Sequence, residues 1–192
     1  ATAPLTFGGP GEPRGRYLDA VFPDVQVDRD IVYRDAVDAR GNPVHLALDV
    51  YRPVGDSATR RPVVMWMHGG FFVGGDKSHG ARLATDYARR GYVAVSVDYR
   101  LRPSASQWRD SYLASLDAYD DALAAVEWLR DHATEYGIDP DAIVAAGFSA
   151  GAVTAATPAH MPGAREHPPP AVEAAIPQSA PLYTPHESGE QR

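Results

Sequence analysis

Ala142-Ile143-Val144-Ala145-Ala146-Gly147-Phe148-Ser149-Ala150-Gly151 is an apolar run that stops at a serine set between two glycines, with small residues beyond it. An apolar run of this length reads as a buried strand, and the small-residue stretch after it suits a helix. A chain that turns from strand to helix at one residue forces that residue into strained backbone geometry. Gly147 and Gly151 suit that turn, because a larger side chain at either place collides with the neighbouring strand or helix. A serine so placed presents its hydroxyl as a nucleophile. The pattern G-x-S-x-G alone is weak evidence in a chain with 17 glycines, so its flanks carry the argument.

The nearest support lies upstream. Pro62-Val63-Val64-Met65-Trp66-Met67 reads as another buried strand and runs into His68-Gly69-Gly70-Phe71-Phe72-Val73-Gly74-Gly75-Asp76. Glycines let such a loop turn its backbone N–H groups inward and approach a bound molecule closely. An acyl-transfer site needs two or three donors aimed at the oxyanion of its tetrahedral intermediate. Gly70 and Phe71 are the candidate donors, with the N–H of Ala150 beside the nucleophile. A plain strand-to-helix connection is the alternative for the loop taken by itself.

The rest of the chain alternates strand and helix. Val25 to Arg34 and Val44 to Arg52 read as extended strands around the turn Ala39-Arg40-Gly41-Asn42-Pro43, an antiparallel hairpin at a sheet edge. Val63 to Met67, Tyr92 to Val97, Ile143 to Ala146 and Val172 to Ile176 have the character of parallel strands buried on both faces. Ala81 to Arg90 predicts a helix, and Ser115 to His132 a longer one with Leu116, Tyr119, Leu123, Val126 and Leu129 as its core stripe. Its other face, Asp117, Asp120, Asp121, Glu127 and Arg130, reads as solvated. Gly137 is the helix stop, and Asp139-Pro140-Asp141 the turn into the nucleophile strand. The expected fold class is α/β, a doubly wound, mostly parallel sheet with an antiparallel N-terminal hairpin. Residues 1–16, rich in Gly and Pro, read as a flexible lead-in, and residues 17–192 as a single domain.

His68-Gly-Gly-Phe-Phe-Val-Gly-Gly-Asp76-Lys77, Gly91-Tyr-Val-Ala-Val-Ser-Val-Asp98-Tyr99-Arg100-Leu101, and Gly137-Ile-Asp-Pro140 ahead of Gly147-Phe-Ser-Ala-Gly151 together resemble the α/β-hydrolase carboxylesterases. Within them the hormone-sensitive-lipase and bacterial feruloyl-esterase-like branch is the nearest likeness, over about Val25 to Tyr183. The resemblance implies a serine carboxylic-ester hydrolase without cofactor or metal, with Ser149 as nucleophile and with His68, Gly69, Gly147 and Gly151 as motif support. It also implies that His68 supports the loop and is not the base. Many members carry a third glycine where this chain has Phe71, whose ring is expected to narrow the acyl site.

The resemblance also implies that a triad acid and histidine follow the nucleophile in chain order, on loops after two further strands. The sequence ends 43 residues after Ser149. The last strands and helices of the fold are therefore expected to be missing, as a fragment or a natural truncation. His186 is the candidate base and Glu187 the candidate acid, because they follow the Val172 strand; a solvated tail is the competing reading. His160 lies three helical turns beyond Ser149, and His167 sits beside Pro168-Pro169-Pro170. A set of His68, Asp76 and His79 lacks any recognised metal-ligand spacing. If no base exists, the chain is a catalytically impaired core that acts as a binding or scaffold module. A serine peptidase or amidase on the same fold is the third reading.

Composition bounds the partners. A chain of 192 residues with 44% hydrophobic residues can bury one substantial core. Its net charge of −7 argues against nucleic acid, and no apolar run is long enough to span a membrane. The absence of cysteine excludes disulfides and thiol nucleophiles. The start at Ala1 without methionine suggests a removed leader or tag, so a secreted location is expected, with a cytoplasmic one open. An ester, small or polymeric, is the expected substrate. A homodimer through the exposed edge of the last strand is a further expectation. Trp108 reads either as a contact for an apolar acyl group at the site's rim or as an anchor of its loop.

Overall fold

Valine-rich extended segments alternate with alanine-rich helices in the computed structural model, which describes residues 13–102, 108–160, 172 and 174–178. β1 (Val25–Val37) and β2 (Pro43–Pro53) form the antiparallel hairpin expected around Gly41. β3 (Arg61–Met67), α1 (Ala81–Ala88), β4 (Val93–Val97), α2 (Trp108–Asp131) and the short α3 (Ala133–Tyr136) come next. β5 (Ile138–Phe148), α4 (Ala150–His160) and β6 (Ala174–Gln178) complete the order. Among the described residues, six strands form one sheet in the order β1-β2-β4-β3-β5-β6. β4, β3, β5 and β6 pair parallel, whereas β2 runs antiparallel to β4. No helix among the described residues is long and apolar enough to cross a membrane.

Strand alternation divides the core between two faces. Val63, Met65 and Met67 of β3 and Val93, Val95 and Val97 of β4 share one buried cluster with α2 and α4. Val64 and Trp66 turn to the other face, where Leu83 and Tyr87 of α1 cover them. With helices on both sides, the sheet is doubly wound, and β3 and β4 at its centre bury nearly every side chain.

The large-residue stripe expected on α2 holds at Val126 and Leu129, both buried, and needs correction nearer the start of the helix. Its most deeply buried positions include Ala114, Ala118, Ala122, Ala125, Val126 and Leu129, while Leu116 is 42% exposed. Hydrophobic periodicity weights large side chains, but the alanines at 114, 118, 122 and 125 let that part of α2 lie close to its neighbours. Asp121, expected on a solvated face, is fully buried. It accepts from Arg34 Nη1 at 2.8 Å, from the Arg100 backbone N–H at 2.8 Å and from Arg100 Nε at 2.9 Å. One carboxylate thus ties α2 to β1 and to the segment leaving β4.

Two boundaries also shift. Arg16 falls within the expected lead-in yet is 1% exposed, with both terminal guanidinium nitrogens 2.7 Å from the Asp56 carboxylate and a third bond to Gly91 O. The domain therefore begins before residue 17. Asp139-Pro140-Asp141 lies inside β5, at a register shift that opposes Ile138 to Arg61 and Ile143 to Val63. Gly137, with φ 63° and ψ 42°, closes α3 as the left-handed stop that its position predicts. Trp108, expected on a loop, is the first residue of α2.

Candidate active site

β3 and β5 are hydrogen-bonded parallel neighbours, with Met67 opposite Gly147. The loop leaving β3 and the turn leaving β5 therefore begin at the same level of the sheet and lie side by side. A Cβ built on Gly69 would sit 3.3 Å from Ser149 Cβ and 3.0 Å from Phe148 O, so that glycine is what lets the two segments touch.

Ser149 has φ 53°, a left-handed conformation that costs a non-glycine residue about 1–3 kcal/mol. The surrounding structure holds it there. A Cβ on Gly151 would collide with the carbonyl oxygens of Met67 and His68, and one on Gly147 with the backbone of Gly151. The Ser149 N–H donates to Gln178 O on β6 at 3.0 Å, and Ser149 O accepts from Ala152 and Val153 to open α4. Ala150 is the first residue of that helix, so its N–H has no intrahelical acceptor and stands at the positive end of the helix dipole.

The facing loop reverses around one carbonyl. Gly70 O accepts from Val73 N–H at 2.9 Å and from Gly74 N–H at 3.2 Å. Gly70, Phe71 and Phe72 all have positive φ, at 132°, 55° and 64°. No backbone carbonyl among the described residues accepts from the N–H of Gly70 or Phe71. Phe72 is buried in the core, whereas Phe71 is 78% exposed. Two unpaired donors beside Ala150 N–H are the chemistry that stabilises a developing oxyanion.

The end of β4 clamps this loop from beneath. Ser96 Oγ donates to Lys77 O at 2.6 Å, and Lys77 N–H donates to Asp98 Oδ1 at 2.7 Å. Tyr99 OH donates to His68 O at 2.6 Å, and Arg102 N–H to Phe72 O at 2.8 Å. Burial pushes the Tyr99 phenol well above its ordinary pKa, which keeps it a donor. Its ring also stacks on His68, with centroids 4.3 Å apart and planes 12° from parallel.

His68 is buried, and its Nδ1 lies 2.8 Å from Gly69 O. A carbonyl can only accept, so Nδ1 carries a proton. Burial lowers the His68 pKa from 6.5, with the Gly69 carbonyl opposing the shift. A folded-state pKa below the unfolded one means that the unfolded chain binds the proton more readily. Stability from this group is thus complete above about pH 6.5 and declines as pH falls from there towards the lowered value. Melting temperatures taken between pH 8 and pH 5 should fall below pH 6.5, and less steeply in His68→Asn; parallel curves would remove His68 as the cause.

Ser149, Gly69, Gly70, Phe71, His79, Trp66 and Phe148 line a cleft of about 420 Å³. A second hollow of about 400 Å³ shares Trp66, His79 and Phe148 with it and continues past Leu83, Arg82, Asp86 and Gln178. The structure therefore brings Ser149, His68, Gly69, Gly70, Phe71 and Ala150 together. His186, Glu187 and His167 lie outside the described residues, as do the side chains of His160 and Trp108. Among the described residues, no side chain hydrogen-bonds the Ser149 hydroxyl. Sequence reasoning missed Trp66, Phe148, His79 and Gln178 as lining residues. The signal for one pair was available: Trp66 registers with Ala146, so Phe148, two residues on, emerges from the same face.

Comparison with known proteins follows this geometry. The BD-FAE family model matches residues 48–174. The chain is 33% identical over 129 residues to para-nitrobenzyl esterase of Bacillus subtilis (strain 168), covering 62% of this chain and 25% of that enzyme. It is 34% identical over 122 residues to esterase LipI of Mycobacterium tuberculosis (strain ATCC 25618 / H37Rv), covering 63% and 35%. Among solved structures it is similar to the apo form of Thermogutta terrifontis esterase 2, with TM-score 0.67 and 29% identity over 89% of this chain and 61% of that one. The same esterase phosphorylated by paraoxon gives TM-score 0.63 at 29% identity, over 83% and 58%. The chain thus spans about a quarter to a third of those curated relatives' length and about three fifths of the solved chains'.

Proposed function

This chain belongs to the BD-FAE family and has the α/β-hydrolase esterase fold, and from that premise we propose that it hydrolyses carboxylic esters through an acyl-enzyme on Ser149. The observation that carries the reading is the meeting of a strained serine, φ 53°, with the unpaired N–H groups of Gly70 and Phe71 across Gly69. Ser149 Oγ attacks the ester carbonyl, and its proton passes to a base. The carbonyl oxygen takes up the negative charge beside the N–H groups of Ala150, Gly70 and Phe71. Collapse expels the alcohol, which recovers a proton. Water then attacks the acyl-enzyme, and the acid leaves Ser149 free.

His186 is the base this proposal assigns and Glu187 its acid; both follow Ser149, as triad partners of this fold do, but with the acid after the histidine where the fold has it before. A second reading rests on the observation that, among the described residues, no side chain hydrogen-bonds the Ser149 hydroxyl. It makes the chain a catalytically impaired core that binds without turning over. Paraoxon separates the two, since the Thermogutta terrifontis esterase 2 structure is phosphorylated by it and phosphorylation requires an activated nucleophile. One diethylphosphoryl group per chain, mapped by peptide mass to Ser149 and absent from Ser149→Ala, is the expected result. An unmodified chain after prolonged exposure favours the impaired core.

Tyr99 acts as a positioning residue in this scheme. Removing its hydroxyl leaves the buried His68 carbonyl without its 2.6 Å donor, a loss worth about 1–3 kcal/mol. Tyr99→Phe should lower kcat on p-nitrophenyl acetate about tenfold with KM little changed, because the loop's donors serve the transition state more than the ground state. An equal rise in KM at constant kcat points instead to lost substrate binding.

A further inference from the structure

Two consecutive phenylalanines share the left-handed backbone of the loop after β3, yet their side chains have opposite fates. Phe72, at φ 64°, is 8% exposed and packs in the core, near Tyr99 with ring centroids 6.2 Å apart. It accounts for how the loop is anchored. Phe71, at φ 55°, is 78% exposed and lines the Ser149 cleft. Its backbone conformation is one that glycine adopts without strain, and its ring buries almost nothing in the fold. A costly conformation combined with an exposed apolar ring has no return in stability, and such combinations collect where a ligand supplies the missing contact.

The exposure also decides how the ring acts. A phenyl group that filled the cleft would itself be buried, so Phe71 is not a plug that narrows the site; it stands at the rim as a surface awaiting cover. Trp66 and the half-exposed Phe148 line the same cleft. We infer that Phe71 is a specificity-determining residue whose ring closes over an apolar group of the substrate, so that the chain prefers esters carrying an extended apolar or aromatic group beside the scissile bond. The inference rests on the Ser149 reading for the identity of the ligand as an ester. Phe71's N–H and its ring have separate duties: the first serves the carbonyl oxygen, which any residue at position 71 supplies, and the second serves the apolar substituent, which only a ring-bearing residue does.

The test measures binding, so it does not depend on turnover. In the Ser149→Ala background, calorimetric titration with ethyl acetate, ethyl hexanoate and 2-phenylethyl acetate compares Phe71 with Phe71→Gly and Phe71→Tyr. The hexanoate arm places the apolar group on the acyl side, and the phenylethyl arm on the alcohol side. Expected is an affinity loss of about tenfold in Phe71→Gly for at least one of the two larger esters, several times greater than the loss for ethyl acetate, and restored in Phe71→Tyr. The melting temperature of Phe71→Gly should equal or exceed that of its parent, since glycine takes φ 55° freely. Equal losses for all three esters, no loss at all, or a lower melting temperature would overturn the inference, the last because it would show the ring packing in the fold. Ser149-dependent hydrolysis by the unaltered chain is assayed in parallel. If that is absent while the selectivity follows Phe71, the esterase reading fails and the role of Phe71 stands.

Discussion

Ser149→Ala should lower kcat for p-nitrophenyl acetate by about 10⁴-fold or more, and leave the melting temperature within about two degrees of the parent. The two halves of this expectation have separate causes. Without Oγ no acyl-enzyme can form, and only the acceleration that binding and oxyanion donors give to attack by water survives, about 10³ to 10⁴ over the uncatalysed rate. The fold is spared because the elbow is held by backbone. Ser149 N–H bonds to Gln178 O, Ser149 O opens α4, and the closeness of Gly151 to the Met67 and His68 carbonyls is untouched by the substitution. Alanine at φ 53° carries the same strain as serine. Turnover by the variant equal to that of the parent would sink the assignment of Ser149, and a collapse in melting temperature would show that the hydroxyl also has a structural partner.

The second large effect is on stability. Asp121→Ala removes a fully buried carboxylate from between Arg34 and Arg100, leaving one guanidinium 26% and the other 13% exposed with its nearest counter-charge gone. Breaking a buried pair from one side typically costs about 3–5 kcal/mol, because the remaining charge stays desolvated and unpaired. Against a whole-domain stability of about 5–15 kcal/mol that is a large fraction. Asp117 and Asp120 also reach Arg100, at 3.5 and 3.8 Å, and temper the loss. Urea unfolding followed by circular dichroism should show the midpoint falling sharply in Asp121→Ala. A change under 1 kcal/mol would mean that the neighbouring acids replace Asp121. Activity should fall as well, even where the variant stays folded, because the segment Asp121 anchors at Arg100 also carries the Arg102 N–H that holds Phe72 O.

Asp121 also marks where sequence reading stops. Ser149 and the loop from His68 to Asp76 were legible because strained turns between strand and helix restrict residue choice locally, and glycine at 147 and 151 is visible as a letter. The sheet was legible for a similar reason: β3, β4 and the core of β5 are short apolar runs between turn residues. Asp121 sits among other acids on a helix, and nothing in that neighbourhood distinguishes the one that meets two arginines distant in sequence. The alanine face of α2 escaped notice because periodicity is weighed by size, and close packing rewards the smallest residues. Tyr99 was visible only as part of a motif; its work on the His68 carbonyl depends on β4 lying beside β3, which is a property of the strand order. Arg16 sits in a stretch whose Gly and Pro content signalled a loose lead-in, and its partner Asp56 is 40 residues away.

The bond from Ser149 N–H to Gln178 O has a consequence in time. On a ribosome, the elbow emerges before the strand that holds it, and until β6 has been synthesised and docked, that donor has only water to bond. The left-handed serine is then held only by the start of α4 and by the close packing of Gly147 and Gly151. Under the nucleophile role proposed for Ser149, the elbow would gain its last backbone bond only once β6 has docked, so full reactivity would come late in synthesis.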